Sequence, residues 1–212
     1  YCTVGSQVIL ANCTINSNQA NRGGGTYFDF FCDVTIDEST LQNNTGILQG
    51  GALHVNDYCD VAIIDTELRD NTSPGAGGVW SSNENTLVIS GSMLEQSLDI
   101  AGFDGTEIRV VDQNTIGRIV LQDVSSELQI PAGASLTMLG GIGLQGSAIK
   151  FDVDTLNSSA PVACQDMQVD GAFGISNTSG TLANASVGDV IRLVQGHPQG
   201  HFESIVLPAM PQ

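Results

Sequence analysis

Lysine is almost missing from this 212-residue chain. Lys150 stands alone, and six basic residues face 23 acidic ones, for a net charge of −17. Phosphate backbones are held by clustered Lys and Arg, so nucleic acid is excluded as a partner, and an anionic membrane surface with it. No long unbroken apolar run occurs; the nearest, ASLTMLGGIGLQGSAI, is interrupted by glycine and glutamine, so no membrane-inserted helix is expected. Histidine occurs three times and no cysteines form a C-x-x-C pair, which removes the usual zinc arrangements. A dinucleotide fingerprint, a phosphate loop and a Ser-His-Asp motif are absent too. No segment keeps a 3.6-residue apolar period, so helices are not expected.

What the chain has is a repeat. Residues 8–33, 34–60 and 61–86 are three versions of one unit, and 87–97 begin a fourth, with a period of 26 to 27 residues. Val8, Val34, Val61 and Leu87 open the units; Ile15, Leu41, Leu68 and Leu94 form an apolar column. Asn18, Asn44 and Asn71 form a polar one, with Ser97 in the fourth unit. Gly24-Gly25, Gly50-Gly51 and Gly77-Gly78 align, followed by Tyr27, Leu53 and Trp80. Each unit holds about three short strand-like pieces separated by Gly, Asn and Asp. One unit cannot bury its apolar face alone, but units stacked at the ~4.8 Å strand spacing build a continuous core. The expected fold is all-β: a single-stranded right-handed parallel β-helix. Its glycines would allow tight corners at positive φ. Its asparagines would form a hydrogen-bonded ladder up the stack.

The pattern I/L-x-x-N followed by Gly-Gly and a small apolar residue resembles the repeats of chlamydial polymorphic outer membrane proteins. More broadly, it resembles right-handed β-helices of the autotransporter-passenger type. The resemblance covers residues 8–97, where Ile15, Leu41 and Leu68 replace the Phe usual before x-x-N. Further on, Asp166 to Gly171, Gly188-Asp189 to Leu193 and Gly200 to Pro208 resemble the closing segments of such helices. That resemblance implies a β-rich terminal cap. The expected organisation is one domain, with coils over 1–155 and a cap over 156–212, read as a segment of a longer chain.

Several residues are candidates for chemistry. The tetrads YCTV, FCDV and YCDV place Cys2, Cys32 and Cys59 in register. Cysteines one coil apart fall within disulfide range, making Cys32–Cys59 one candidate bridge and Cys2–Cys13 a second. The alternative is a column of buried free thiols. Sequons begin at Asn12, Asn43, Asn71, Asn157, Asn177 and Asn184, and N-glycosylation would require a secreted, exposed setting. A ladder role would lock Asn71 away from it. Asp33 and Asp60 align one coil apart, and Asp37, Asp65 and Asp70 read as one edge. Stacked carboxylates either face water or share a cation, for which calcium is the suitable choice. No other cofactor is expected. Tyr27 and Trp80, with the YFDFF run at 27–31, are candidate sugar-stacking aromatics. GHPQGH, containing His197 and His201, reads as a hairpin loop.

These observations point first to a non-enzymatic extracellular segment of a large cell-surface or filament-forming glycoprotein. It would be a rigid spacer, adhesin or assembly unit whose partners are other subunits or domains of its own chain. A carbohydrate-active β-helix enzyme is the alternative, which requires carboxylates beside an Arg or Lys on one face. A glycan-binding module is the other.

Overall fold

A computed structural model describes residues 1–95, 99–153, 161–176 and 193–206. They form an all-β parallel solenoid with no helix. Each coil runs along three faces. The first carries strands Gln7–Ala11, Asp33–Asp37, Asp60–Ile64, Thr86–Ser90, Glu107–Val111 and Glu127–Ile130. The second carries Thr14–Asn16, Thr40–Gln42, Glu67–Arg69, Met93–Glu95, Gln113–Ile116 and Ser135–Met138. The third carries Thr26–Phe28, Leu53–Asn56, Val79–Ser82, Ile100–Phe103 and Ile119–Leu121. Strand pairing is parallel throughout, each strand lying on its counterpart in the next coil.

Alternation then decides what is inside. Val34, Ile36, Leu41, Leu53 and Val55 point inward and are almost wholly buried, and their partners Val61, Ile63, Leu68, Val79 and Leu87 continue the same columns. Like side chains stacked this way fill the interior without gaps, which burial of apolar surface rewards.

The corners follow one rule. A residue at positive φ turns the chain, and the next residue points inward as a polar rung. Asn12, Glu38, Asp65 and Gly91 turn the corner between first and second faces at φ of 53°, 45°, 45° and 59°. Their successors Cys13, Ser39, Thr66 and Ser92 make a ladder. The Cys13 N–H donates to Ser39 Oγ (3.0 Å), Ser39 N–H to Thr66 Oγ1 (3.2 Å), and Thr66 N–H to Ser92 Oγ (3.1 Å). The expected asparagine ladder stands at the next corner. Asn18 N–H donates to Asn44 Oδ1 (3.1 Å), Asn44 N–H to Asn71 Oδ1 (3.0 Å), and Asn44 Nδ2 to Ile15 O (2.9 Å). At the third corner Cys32 N–H donates to Cys59 Sγ (3.3 Å) and Cys59 N–H to Asn85 Oδ1 (2.8 Å). Each ladder satisfies the N–H groups that a bend would otherwise leave buried and unpaired.

The double glycines differ from the expectation in two respects. Gly23 and Gly50 do sit at positive φ (57° and 64°). Gly24, Gly25, Gly51 and Gly78 instead serve close approach between coils: a Cβ on Gly51 would lie 2.3 Å from Gly77 O, and one on Gly78 2.4 Å from Asp99 O. The register is also displaced by one residue from the expected alignment. Gly24 lies over Gly51, because Gly24 N–H donates to Gly50 O, and Tyr27 lies over His54 rather than Leu53. The cause is a bulge. Between the second and third faces an arm strand, Gln19–Arg22, pairs with Thr45–Gln49, and its register shifts between Ala20 and Arg22.

Among the described residues beyond 95 no arm strand occurs. First-face strands that started 26 or 27 residues apart now start at Thr86, Glu107 and Glu127, 20 or 21 apart. Disappearance of the Asn and Gly-Gly marks is therefore a shortened coil. The stack continues through three long strands, Gly141–Asp152, Val162–Ser176 and Val194–Val206. The GHPQGH stretch is not a hairpin: Pro198 and His201 pair with Met167 and Asp170 inside the last strand. The expected boundary at 155–156, Ser97 of the asparagine column, and the closing-segment positions Gly188, Asp189 and Pro208 lie outside the described residues.

Candidate functional site

The outward side of the third face and its following corner carry most of the chain's unusual side chains. Three columns run along it. Tyr1, Tyr27, His54 and Trp80 form the first. Tyr1 stacks on Tyr27 (centroids 4.9 Å, planes 17° apart), and Tyr27 on His54 (4.8 Å, 4°). Trp80 follows His54 in register and stacks on Phe103 at 4.4 Å. Tyr27 thus has a ring on each face. Trp80 has Phe103 on one side and the Gly75 backbone against its ring, where an added Cβ would lie 2.7 Å away. The two expected sugar-stacking residues, Tyr27 and Trp80, do share a column, but their ring faces are occupied by neighbours. A groove of about 660 Å³ opens beside Tyr1 and Tyr27, lined also by Asn18, Arg22 and Leu48.

His54 is 2% exposed, and its Nδ1 has no hydrogen-bond partner. Burial, with the nearby Arg22 charge assisting and Asp29 opposing, lowers its pKa from 6.5 to about 4. The unfolded chain therefore takes up the proton first as pH falls. His54's contribution is intact above pH 6.5 and is lost progressively down to about 4, a total of roughly 3 kcal/mol. His54→Phe keeps the stack and removes the titration. We expect urea midpoints at pH 5 and 7 to differ less in the variant than in the parent; an unchanged gap would assign the effect to other groups.

The second column is polar. Asn56 Nδ2 donates to Asp29 Oδ1 (3.0 Å), Ser82 Oγ to Asn56 Oδ1 (3.2 Å), and Tyr1 Oη to Asp29 Oδ2 (3.3 Å). Asp57 accepts from both Asn56 Nδ2 and Asn83 Nδ2 at 2.6 Å. The third column is the corner itself. Phe31 stacks on Tyr58 (5.1 Å, 12°) with Phe30 tilted beside it at 5.8 Å. All three are solvent-exposed.

No family model matches this chain. Comparisons with curated proteins and with solved structures likewise gave no significant match.

The remaining candidates separate. Cys2 is not in register with Cys32: it bridges Phe28, and Ser6 occupies the position beside Cys32. The YCTV tetrad misleads because the first interval is longer than a coil. Cys2 lies on the third face and Cys13 at the corner between the first and second, and all five cysteines are free thiols. Cys32 and Cys59 do stack, but as rungs: their thiols donate to Asp29 O (2.9 Å) and Asn56 O (3.0 Å). Burial pushes the Cys59 thiol up to about 12, so its thiolate is scarce near neutrality. Maleimide labelling without reductant should modify Cys32 and Cys59 only after denaturation, and then all five cysteines. A mass deficit of two protons in the unlabelled chain would instead show a bridge.

Asn12 and Asn43 are exposed corner residues, whereas Asn71 is 5% exposed and donates through Nδ2 to Leu41 O at 2.8 Å. Asn157, Asn177 and Asn184 lie outside the described residues. Asp33 and Asp60 pair in register. Asp65 stands at the same corner as Asp37, whose neighbour Glu38 it lies over, whereas Asp70 turns the next corner and does not join them. Among the described residues no group of three or more His, Cys, Asp or Glu is placed to hold a metal ion. Two cations, Arg109 and Lys150, share a column on the first face, separated by Gln129, and Lys150 pairs with Glu127. Arg69 pairs with Glu67 at 3.6 Å on an exposed surface, an arrangement of little energetic consequence.

Sequence reading missed the Ser/Thr ladder, His54 in the aromatic stack, and Tyr58. His54 was hidden by alternation counted one residue off after the bulge. A search for Ser or Thr two residues after the first-face strand would have found the ladder.

Proposed function

We propose that this chain is a non-enzymatic, extracellular building block of a large surface or filament-forming protein, acting as a rigid spacer or assembly unit. The observation that carries the reading is the solenoid's first coil. Val8, Leu10 and Ile15 are only partly buried, while the same columns one coil on, at Val34, Ile36 and Leu41, are almost fully enclosed. The outer edges of strands Gln7–Ala11 and Thr14–Asn16 have one partner each. Such an edge is a template for pairing, and natural proteins cover it. The occupant that fits is another coil with the same three-corner pattern, supplied by the same protein or by another subunit. The likeness of residues 8–97 to surface-protein repeats of the autotransporter-passenger type supports an extracellular setting, as do the exposed sequons at Asn12 and Asn43. Among the described residues no helix is long and apolar enough to cross a membrane.

The test is glycopeptide mapping of material from the native source. Glycans on Asn12 or Asn43, and none on Asn71, are expected. Bare Asn12 and Asn43 would sink the glycoprotein reading. Release of reducing ends from a panel of polysaccharides would sink the non-enzymatic one.

A further inference from the structure

The third corner spends conformational energy in a way its own repeats show to be avoidable. Its turn needs two consecutive residues at positive φ. Later coils fill it with Asn83-Glu84 (68° and 56°) and Asp104-Gly105 (51° and 88°). Asn83, Asp104 and Gly105 are of the types that tolerate this region, and Glu84 is not. The earlier coils put Phe30 and Phe31 there at 43° and 57°, and Tyr58 at 60°. A bulky aromatic at positive φ is a strained choice, and strain of this kind concentrates at functional sites. These rings do not repay it by burial: Phe30, Phe31 and Tyr58 are 42%, 58% and 45% exposed.

The geometry leaves one ring face open. Tyr58 covers one side of Phe31. On the other side the register places Gly5, since Gly5 N–H donates to Phe30 O. Gly5 has no side chain, and a Cβ built on it would meet nothing within 4 Å. Two residues before Phe31, the Asp29 carboxylate accepts from Tyr1 and Asn56, and the amides of Asn56 and Asn83 continue the polar row. An open aromatic face beside fixed acceptors and donors suits a ligand with an apolar face and a hydroxylated rim.

We propose that this corner binds a saccharide. The open face of Phe31 stacks on the axial C–H face of a neutral pyranose with equatorial hydroxyls, and the Asp29 carboxylate accepts hydrogen bonds from the ring's hydroxyl groups. The electron-rich ring face attracts the weakly positive C–H bonds. The chain's net charge of −17 and the Asp29–Asp57 carboxylates disfavour uronic acids and sulfated sugars.

The experiment exploits the turn's own chemistry. Asn suits positive φ, so Phe31→Asn and Tyr58→Asn should keep or raise the melting temperature. The 212-residue chain is titrated with cellohexaose and xylohexaose, following sugar C–H protons by NMR, with polygalacturonate as the anionic control. The expected result is an upfield ring-current shift of sugar protons in the parent, no binding of polygalacturonate, and affinity reduced at least about tenfold in Phe31→Asn. No shift with either neutral hexasaccharide, or equal binding by Phe31→Asn, would overturn the proposal. So would a large drop in melting temperature in both variants, which would make the rings packing residues. Conversion of an oligomer into a monomer by Phe31→Asn, with sugars inert, would overturn it in favour of a protein interface.

Discussion

Asn44→Leu is expected to lower the unfolding free energy by about 4 kcal/mol. Leucine shares asparagine's branched four-atom side-chain skeleton and is apolar, so a bland core position would tolerate it. Asn44 is instead wholly buried and wired to three coils. Its Oδ1 accepts from Asn18 N–H and Asn18 Nδ2, both at 3.1 Å, and its Nδ2 donates to Ile15 O and Asn71 Oδ1, both at 2.9 Å. The variant strands the backbone N–H of Asn18 and the carbonyl of Ile15, and each buried group left unpaired costs ~1–3 kcal/mol. The loss should exceed that of Asn18→Leu, since Asn18 is exposed and ends the ladder. Denaturant melts of the two variants, read at matched m-values, check the ordering. Equal losses would mean that the ladder acts locally rather than as a chain of rungs.

Gly51→Ala should be comparably damaging, at more than about 3 kcal/mol. One methyl group is added, but its carbon would lie 2.3 Å from Gly77 O, 2.7 Å from Thr72 N and 2.8 Å from Thr72 O. All three are backbone atoms of the next coil, so no side chain can swing aside. Relief requires the coils to separate, which breaks the Gly51 N–H to Ala76 O bond and the neighbouring Ala52 bonds. Gly133→Ala is the control. Its φ of 81° carries a penalty too, but a Cβ there meets nothing within 4 Å. A conformational cost of about 1–2 kcal/mol is expected there. Thermal melts of the two variants separate close approach from backbone conformation as the reason for glycine. Similar losses would refute the clash.

The architecture was legible because a solenoid writes each structural position once per coil. Val8, Val34, Val61 and Leu87 stand in one column on the structure as they do in the sequence. So do Ile15, Leu41, Leu68 and Leu94. The asparagine ladder was readable for the same reason. The aromatic column was read wrongly where a single inserted residue intervened: Tyr27 was matched to Leu53 instead of His54, because alternation turns a one-residue slip into a change of face. Cys2 was matched to Cys32 instead of to Phe28 for a different reason, since the first interval is longer than a coil. No local pattern reveals where a bulge absorbs an extra residue. That depends on which coil the arm strand Gln19–Arg22 finds beside it.

Composition and period alone determined that this chain is an acidic β-solenoid with its apolar columns inside and asparagines at one corner. Those follow from stacking like on like, which any repeat of this spacing must do to bury its core. Only the tertiary structure decided which ring faces are open, which glycines touch the neighbouring coil, and that the thiols of Cys32 and Cys59 serve as ladder rungs. Each of these is set by contact between residues about 26 positions apart. Such contacts exist only once the coils have closed in register, to a single residue and a fraction of an ångström.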